Sequence, residues 1–176
     1  MEKNTSTSTK AHDLLKVFLA DTFILYMKTY AVHWNYKGSK FFSVHRLTEE
    51  HYQELAMAID EVAERIRALG DEAPFSLKAI LGTTDMDEMK SREANDDHAL
   101  RELIDGHTML SQKAKEAADA LEEGGDLYST DIMIKRIGAH DKAAWMLRSF
   151  LAGSPKNEQP FSPEKIAKNV NQNARQ

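Results

Sequence analysis

The chain has 176 residues, 29% of them charged, with 8 glycines, 4 prolines, no cysteine and a formal net charge of −5. That length suits one domain with its own core, and scarce Gly and Pro beside abundant charge favour helices over strands. The missing cysteines exclude disulfides, thiolate metal sites and cysteine nucleophiles, so any metal must sit on nitrogen and oxygen donors, and the acidic balance excludes a basic nucleic-acid-binding body, leaving only the tails for that role.

Residues 1–10 are polar and Ser/Thr-rich and read as a flexible N-terminal tail without the apolar stretch of a secretory signal. A first helix is predicted from Ala11 to Lys37. Leu14, Leu15, Phe18, Leu19, Thr22, Phe23, Tyr26 and Tyr30 recur there at three- and four-residue steps, and Gly38 is a stop. With Ser43 as N-cap, a second helix runs from Val44 to Leu69 and ends at Gly70. Its apolar face is Tyr52, Leu55, Ile59, Val62, Ile66 and Leu69. A long connection, Ala73 to Met89, holds Pro74 and a short amphipathic helix at Leu77–Leu81. A third helix is expected from Ser91 to Glu123, stopped by Gly124-Gly125, and a fourth from Leu127 to Ala152. The predicted fold class is therefore all-α. A bundle occupies residues 11–153, and residues 154–176, with three of the four prolines, form a polar C-terminal tail. The long crossover is what a ferritin-like four-helix bundle uses to join its second and third helices in parallel. No apolar run reaches the 18 residues of a membrane span, so a cytoplasmic protein is expected.

Four potential metal ligands fall on the second helix: His45, Glu49, Asp60 and Glu64, with His33 just upstream. At about 100° per residue they share a stripe roughly 100° wide. The His45/Glu49 end nevertheless stops 11 residues short of Asp60, roughly 16 Å along a helix. Ligands of one ion must all lie about 2 Å from it, so the two ends cannot share a metal within one chain. A second copy resolves this, because 45 + 64 and 49 + 60 both equal 109. An antiparallel pairing about a two-fold axis near residues 54 and 55 brings His45/Glu49 of one copy to Asp60/Glu64 of the other. Such a self-complementary contact makes two identical sites. Ala56 and Ala63 within the stripe leave room for a neighbouring helix. The plainer reading makes Asp60 and Glu64 part of a solvated face, with Glu61 and Arg65 as an i,i+4 pair. No Glu-x-x-His occurs anywhere, so the di-iron centre usual inside such bundles is not expected.

His33-Trp34-Asn35-x-x-Gly38, Phe41-Phe42, His45, and Asp60-Glu61-Val62-Ala63-Glu64-Arg65 followed by Gly70 resemble the signature of the Dps family, the DNA-protection-during-starvation proteins or mini-ferritins. His140 to Arg148 resembles that family's fourth helix, and the similarity spans roughly residues 11 to 152. The resemblance implies a dodecameric shell of four-helix subunits that oxidises Fe(II), preferably with hydrogen peroxide, and stores Fe(III) mineral. It places the ferroxidase site at a two-fold interface, with His33, His45 and residue 49 from one subunit and Asp60 and Glu64 from the other. This chain departs at Glu49, where the family usually has aspartate. Trp34 matches a tryptophan near the iron site, placed to intercept radicals or simply to pack at the dimer interface. Asp126 and Asp131 match acidic residues of three-fold pores, while Asp126 also stands where an N-cap of the fourth helix belongs.

Some relatives bind DNA through lysine-rich tails. Here Lys3 and Lys10 stand against Glu2, and Lys156, Lys165, Lys168 and Arg175 stand against Glu158 and Glu164. These charges are modest beside an acidic body, so solubilising tails are the simpler reading. The alternative to a ferroxidase is an architectural DNA-binding protein, nucleoid-associated, with a vestigial metal site.

Overall fold

The computed structural model describes residues 3–89 and 97–151, with the side chains from residue 12 onward. Five helices appear in it: α1 (Lys3–Asn35), α2 (Phe41–Ala68), α3 (Leu77–Thr83), α4 (Asp97–Glu123) and α5 (Leu127–Leu151). The predicted start of the third helix at Ser91 and the C-terminal tail lie outside the described residues. The fold class is as expected, all-α with a crossover carrying a short helix. The backbone of α1 reaches upstream to Lys3, past the predicted start at Ala11.

Pairwise contacts set the helix directions. Lys28 meets Glu102 at 3.6 Å and Asp21 meets Lys113 at 2.6 Å, so α1 and α4 run antiparallel. Glu54 meets Arg136 and Asp126 meets Arg65 at 2.8 Å, so α2 and α5 do too. The short turns of α1–α2 and α4–α5 make each of those pairs antiparallel. Accordingly α2 and α4 are parallel and require the crossover. Leu15, Phe18, Leu25, Leu55, Ile66, Leu103, Leu110 and Leu147 fill the shared interior. At Gly106 α4 comes so close to α1 that a Cβ would sit 2.7 Å from Leu25 Cδ1.

Two ends are built alike. At the end of α2, Gly70 N–H donates to Arg67 O and Asp71 N–H to Ile66 O. At the end of α4, Gly125 N–H donates to Glu122 O and Asp126 N–H to Leu121 O. Both are Schellman closures, in which a glycine of positive φ satisfies the last carbonyls. The start of α2 differs from the expected Ser43 cap. Gly38, at φ 111°, turns the chain so that Phe41 N–H donates to Gly38 O and Val44 N–H to Lys40 O. The helix therefore begins at Phe41, and Lys40 holds the cap position without a side-chain cap. Its ammonium instead donates to Phe150 O at 2.6 Å, tying this turn to the end of α5.

The crossover is anchored by a buried charge. Asp21 is wholly buried on α1, and its carboxylate accepts from Thr84 Oγ1 (2.6 Å), Asp85 N (2.8 Å), Met86 N (3.0 Å) and Lys113 Nζ (2.6 Å). Burial acts to lower the Lys113 pKa, but its bonds to Asp21 and Asp85 outweigh that and raise it. On α5 the apolar Ile134 and Trp145 are exposed, while Arg136 and His140 point inward. The helix is apolar on several sides, so periodicity alone did not say which side faces the core.

Candidate metal centre

His33 is near the end of α1 and His45 in the second turn of α2, and the Gly38 turn folds one onto the other. Their rings stack 3.8 Å apart at 16°. His33 Nδ1 lies 3.0 Å from the His45 carbonyl oxygen, and His45 Nδ1 lies 3.0 Å from the His33 carbonyl oxygen. A carbonyl only accepts, so both Nδ1 atoms carry hydrogen. In the neutral rings Nε2 is then the bare lone pair on each, the state a metal ligand needs, oriented by the other nitrogen's bond. Thr48 Oγ1, 3.2 Å from His33 Nδ1, adds a second polar neighbour. His33 is buried and His45 half-buried.

Glu49 follows one turn after His45. Its carboxylate accepts from Arg46 Nη1 at 2.5 Å. Asp60 and Glu64 stand at the far end of the same unbroken helix. Both are exposed, neither has a hydrogen bond or ion pair among the described residues, and they edge a shallow depression with Glu61, Tyr128 and Arg136. The structure thus brings His33, His45 and Glu49 to one end of α2 and leaves Asp60 and Glu64 at the other. Among the described residues no three donors of one chain converge.

Trp34 is 63% exposed, its ring 4.7 Å from Tyr30, which stacks on Tyr52 at 4.2 Å. Tyr52 in turn meets His33 edge-on at 5.1 Å. Asp126 acts as the α5 N-cap. Oδ1 accepts from Ser129 N at 3.1 Å and Arg65 Nη2 at 2.8 Å, and Oδ2 accepts from Ser129 Oγ at 2.6 Å. Burial acts to raise its pKa, but the Ser129 and Arg65 bonds outweigh it and hold the carboxyl below the usual range. Asp131 is exposed and pairs with Lys135 at 2.7 Å.

Sequence reasoning missed a second histidine group. His51, His107 and His140, from α2, α4 and α5, are buried together inside the bundle. Burial pushes His51 down to about 4 and His140 to about 3, and it holds His107 well below the ordinary value with His140 beside it. The only signal was one inward-facing histidine on each helix, and no spacing rule joins residues so far apart.

A bundle of four long helices with a parallel crossover and a histidine–carboxylate stripe defines a ferritin-like protein, and residues 12–155 match the family model described as a ferritin-like domain. The chain is 32% identical over 143 residues to the DNA protection during starvation protein of Helicobacter pylori, covering 81% of this chain and 99% of that one. Among solved structures, the Dps protein of Vibrio cholerae, described as a member of a superfamily of ferritin-like diiron-carboxylate proteins, superposes with TM-score 0.78 at 31% identity, covering 84% of this chain and 92% of that one. Dps from Staphylococcus aureus gives 0.76 at 31%, covering 81% and 95%. The chain belongs to the Dps family of ferritin-like proteins. Among the described residues no helix is long and apolar enough to cross a membrane.

Proposed function

We propose that this protein is a cytoplasmic ferroxidase and iron store, a dodecameric shell that oxidises Fe(II) with hydrogen peroxide at sites shared between two copies. The observation that carries the reading is the reciprocal bond between His33 and His45. It leaves the Nε2 of each of two stacked rings, 3.8 Å apart, as a bare lone pair, while among the described residues the carboxylates of Asp60 and Glu64 lack partners at the opposite end of α2. Imidazole and carboxylate donors suit iron with an open coordination position. His33, His45 and Glu49 of one copy, with Asp60 and Glu64 of a second, would hold the Fe(II) substrate. Peroxide takes one electron from each of two Fe(II) ions and two protons from solvent, its O–O bond breaks, and it leaves as two waters while both irons become Fe(III). Glu49 must exchange Arg46 for the metal, and its additional methylene over aspartate gives the reach to do so.

The ring group of Trp34, Tyr30 and Tyr52 stands beside His33 and would accept oxidising equivalents that escape the metal. Asp131, exposed in the first turns of α5, and Asp126, at the cap of that helix, are assigned to the three-fold pore. Because Asp126 is committed to its cap and to Arg65, attraction of cations falls mainly on Asp131. Stopped-flow absorbance after mixing with Fe(II), with and without hydrogen peroxide, tests the reading. We expect a fast peroxide-dependent rise that His33→Ala or His45→Ala slows by at least about ten-fold, the typical size for losing a metal-site partner. A chain that stays monomeric, or a rate untouched by both variants, would refute it.

A further inference from the structure

The histidines inside the bundle form a separate arrangement from the shared centre. A cavity of about 260 Å³ opens from solvent between α2, α4 and α5, with Glu50, His51, Glu54, His107, Lys142 and Met146 on its walls. Two nitrogens of these wall residues, His51 Nδ1 and His107 Nε2, are buried without a hydrogen-bond partner. Buried polar atoms are almost always satisfied, so an orphaned pair beside one cavity points to an occupant. Behind His107, its Nδ1 lies 3.0 Å from His140 Nδ1. One of these two must donate. When His107 donates, its Nε2 becomes a bare lone pair, and His140 serves as the outer acceptor that metal-bound histidines characteristically have.

Distances agree with a shared ion. Two imidazoles on one tetrahedral ion, with metal–nitrogen bonds of about 2.0–2.1 Å, place their ring centres roughly 5 Å apart. The His51 and His107 ring centres are 5.4 Å apart. Glu54 accepts from Arg136, with 2.8 Å between Oε2 and Nη2, and Lys142 stands on the same wall. Glu50 is exposed and faces the same space. No third side-chain donor converges among the described residues, so two positions of a tetrahedral ion would be left to water, one more than in the three-ligand open zinc sites.

We propose that this cavity is a second, intrasubunit site for a divalent cation of the zinc class, bound through His51 and His107, with His140 positioning the His107 ring. The claim is independent of the shared ferroxidase centre. It is tested by titrating Zn(II) into the full-length His33→Ala/His45→Ala protein, in which the shared centre is disabled. A zinc ion should remain bound to each chain. Adding His51→Gln should remove it, and adding His140→Phe should weaken it by roughly 10–100-fold. Crystals of the wild-type protein soaked in zinc should show an anomalous peak between α2 and α4 beside His107, an observation that needs no variant to fold. Zinc binding unchanged by His51→Gln, or a peak confined to the His33/His45 end, overturns the proposal.

Discussion

Replacing Asp21 by alanine should loosen the crossover while the rest of the bundle stays intact. In the structure this wholly buried carboxylate accepts four hydrogen bonds, three from the Thr84–Met86 segment and one from Lys113. Breaking a buried ion pair from one side costs about 3–5 kcal/mol, because the remaining partner keeps its desolvation. Lys113 reaches solvent and also pairs with Asp85 at 2.6 Å, which places its share at the low end. The Asp85 and Met86 amides lose their acceptor, worth about 1 kcal/mol each. Together these contributions come to about 5 kcal/mol. Urea unfolding of Asp21→Ala against wild type measures it, with Asp21→Asn as a control that keeps an acceptor oxygen and should fall between the two. Hydrogen exchange localises it: the Asp85 and Met86 amides should lose protection first. A destabilisation under about 1 kcal/mol, smaller than a typical loss of even a single charged hydrogen bond, would show that the crossover is held by its apolar contacts instead.

Acid should unfold the protein through its interior histidines. His140 is held at about 3 by burial, against an ordinary 6.5. The unfolded chain therefore binds a proton that the native state refuses between those values. Stability is complete above pH 6.5 and falls by about 1.4 kcal/mol per pH unit below it, for this residue alone. Urea midpoints measured from pH 7 to 4.5 should show this slope and lose part of it in His140→Phe; a flat wild-type profile would contradict it. Asp131→Asn should slow iron uptake at low Fe(II), whereas Asp126→Asn should chiefly lower the melting temperature, since a lost N-cap costs about 1 kcal/mol. Equal uptake by both variants and wild type would remove the pore role. Trp34→Phe should increase oxidative damage to the protein under iron and peroxide, seen by mass spectrometry of Tyr30 and Tyr52; an unchanged pattern would leave Trp34 a packing residue.

The helices were legible because apolar residues recur along them at three- and four-residue steps, and because α2 and α4 each end on a glycine that closes them. The His33–His45 pair was legible for a similar local reason, since one short turn separates the two. Other features depend on the assembled bundle. Asp21 sits within the apolar stretch of α1, and nothing near it in sequence announces that residues 84–86 will bring their amides to it. His51, His107 and His140 meet only once three helices have docked. The Ser43 cap failed because the backbone geometry of Gly38, not a hydroxyl, decides where α2 begins. On α5 the inward Arg136 and His140 reverse the usual sorting of polar from apolar, which hydrophobic periodicity cannot register.

One consequence follows from α2 being a single 28-residue helix without a break. Both ends of the donor stripe ride on the same rigid rod, so their phase and separation are fixed by residue count. An insertion of a single residue between Glu49 and Asp60 would rotate one end by about 100° and displace it by about 1.5 Å. Point substitutions in that interval change packing, but insertions and deletions put the two halves out of step. The interval between them should therefore tolerate changes of identity far better than changes of length.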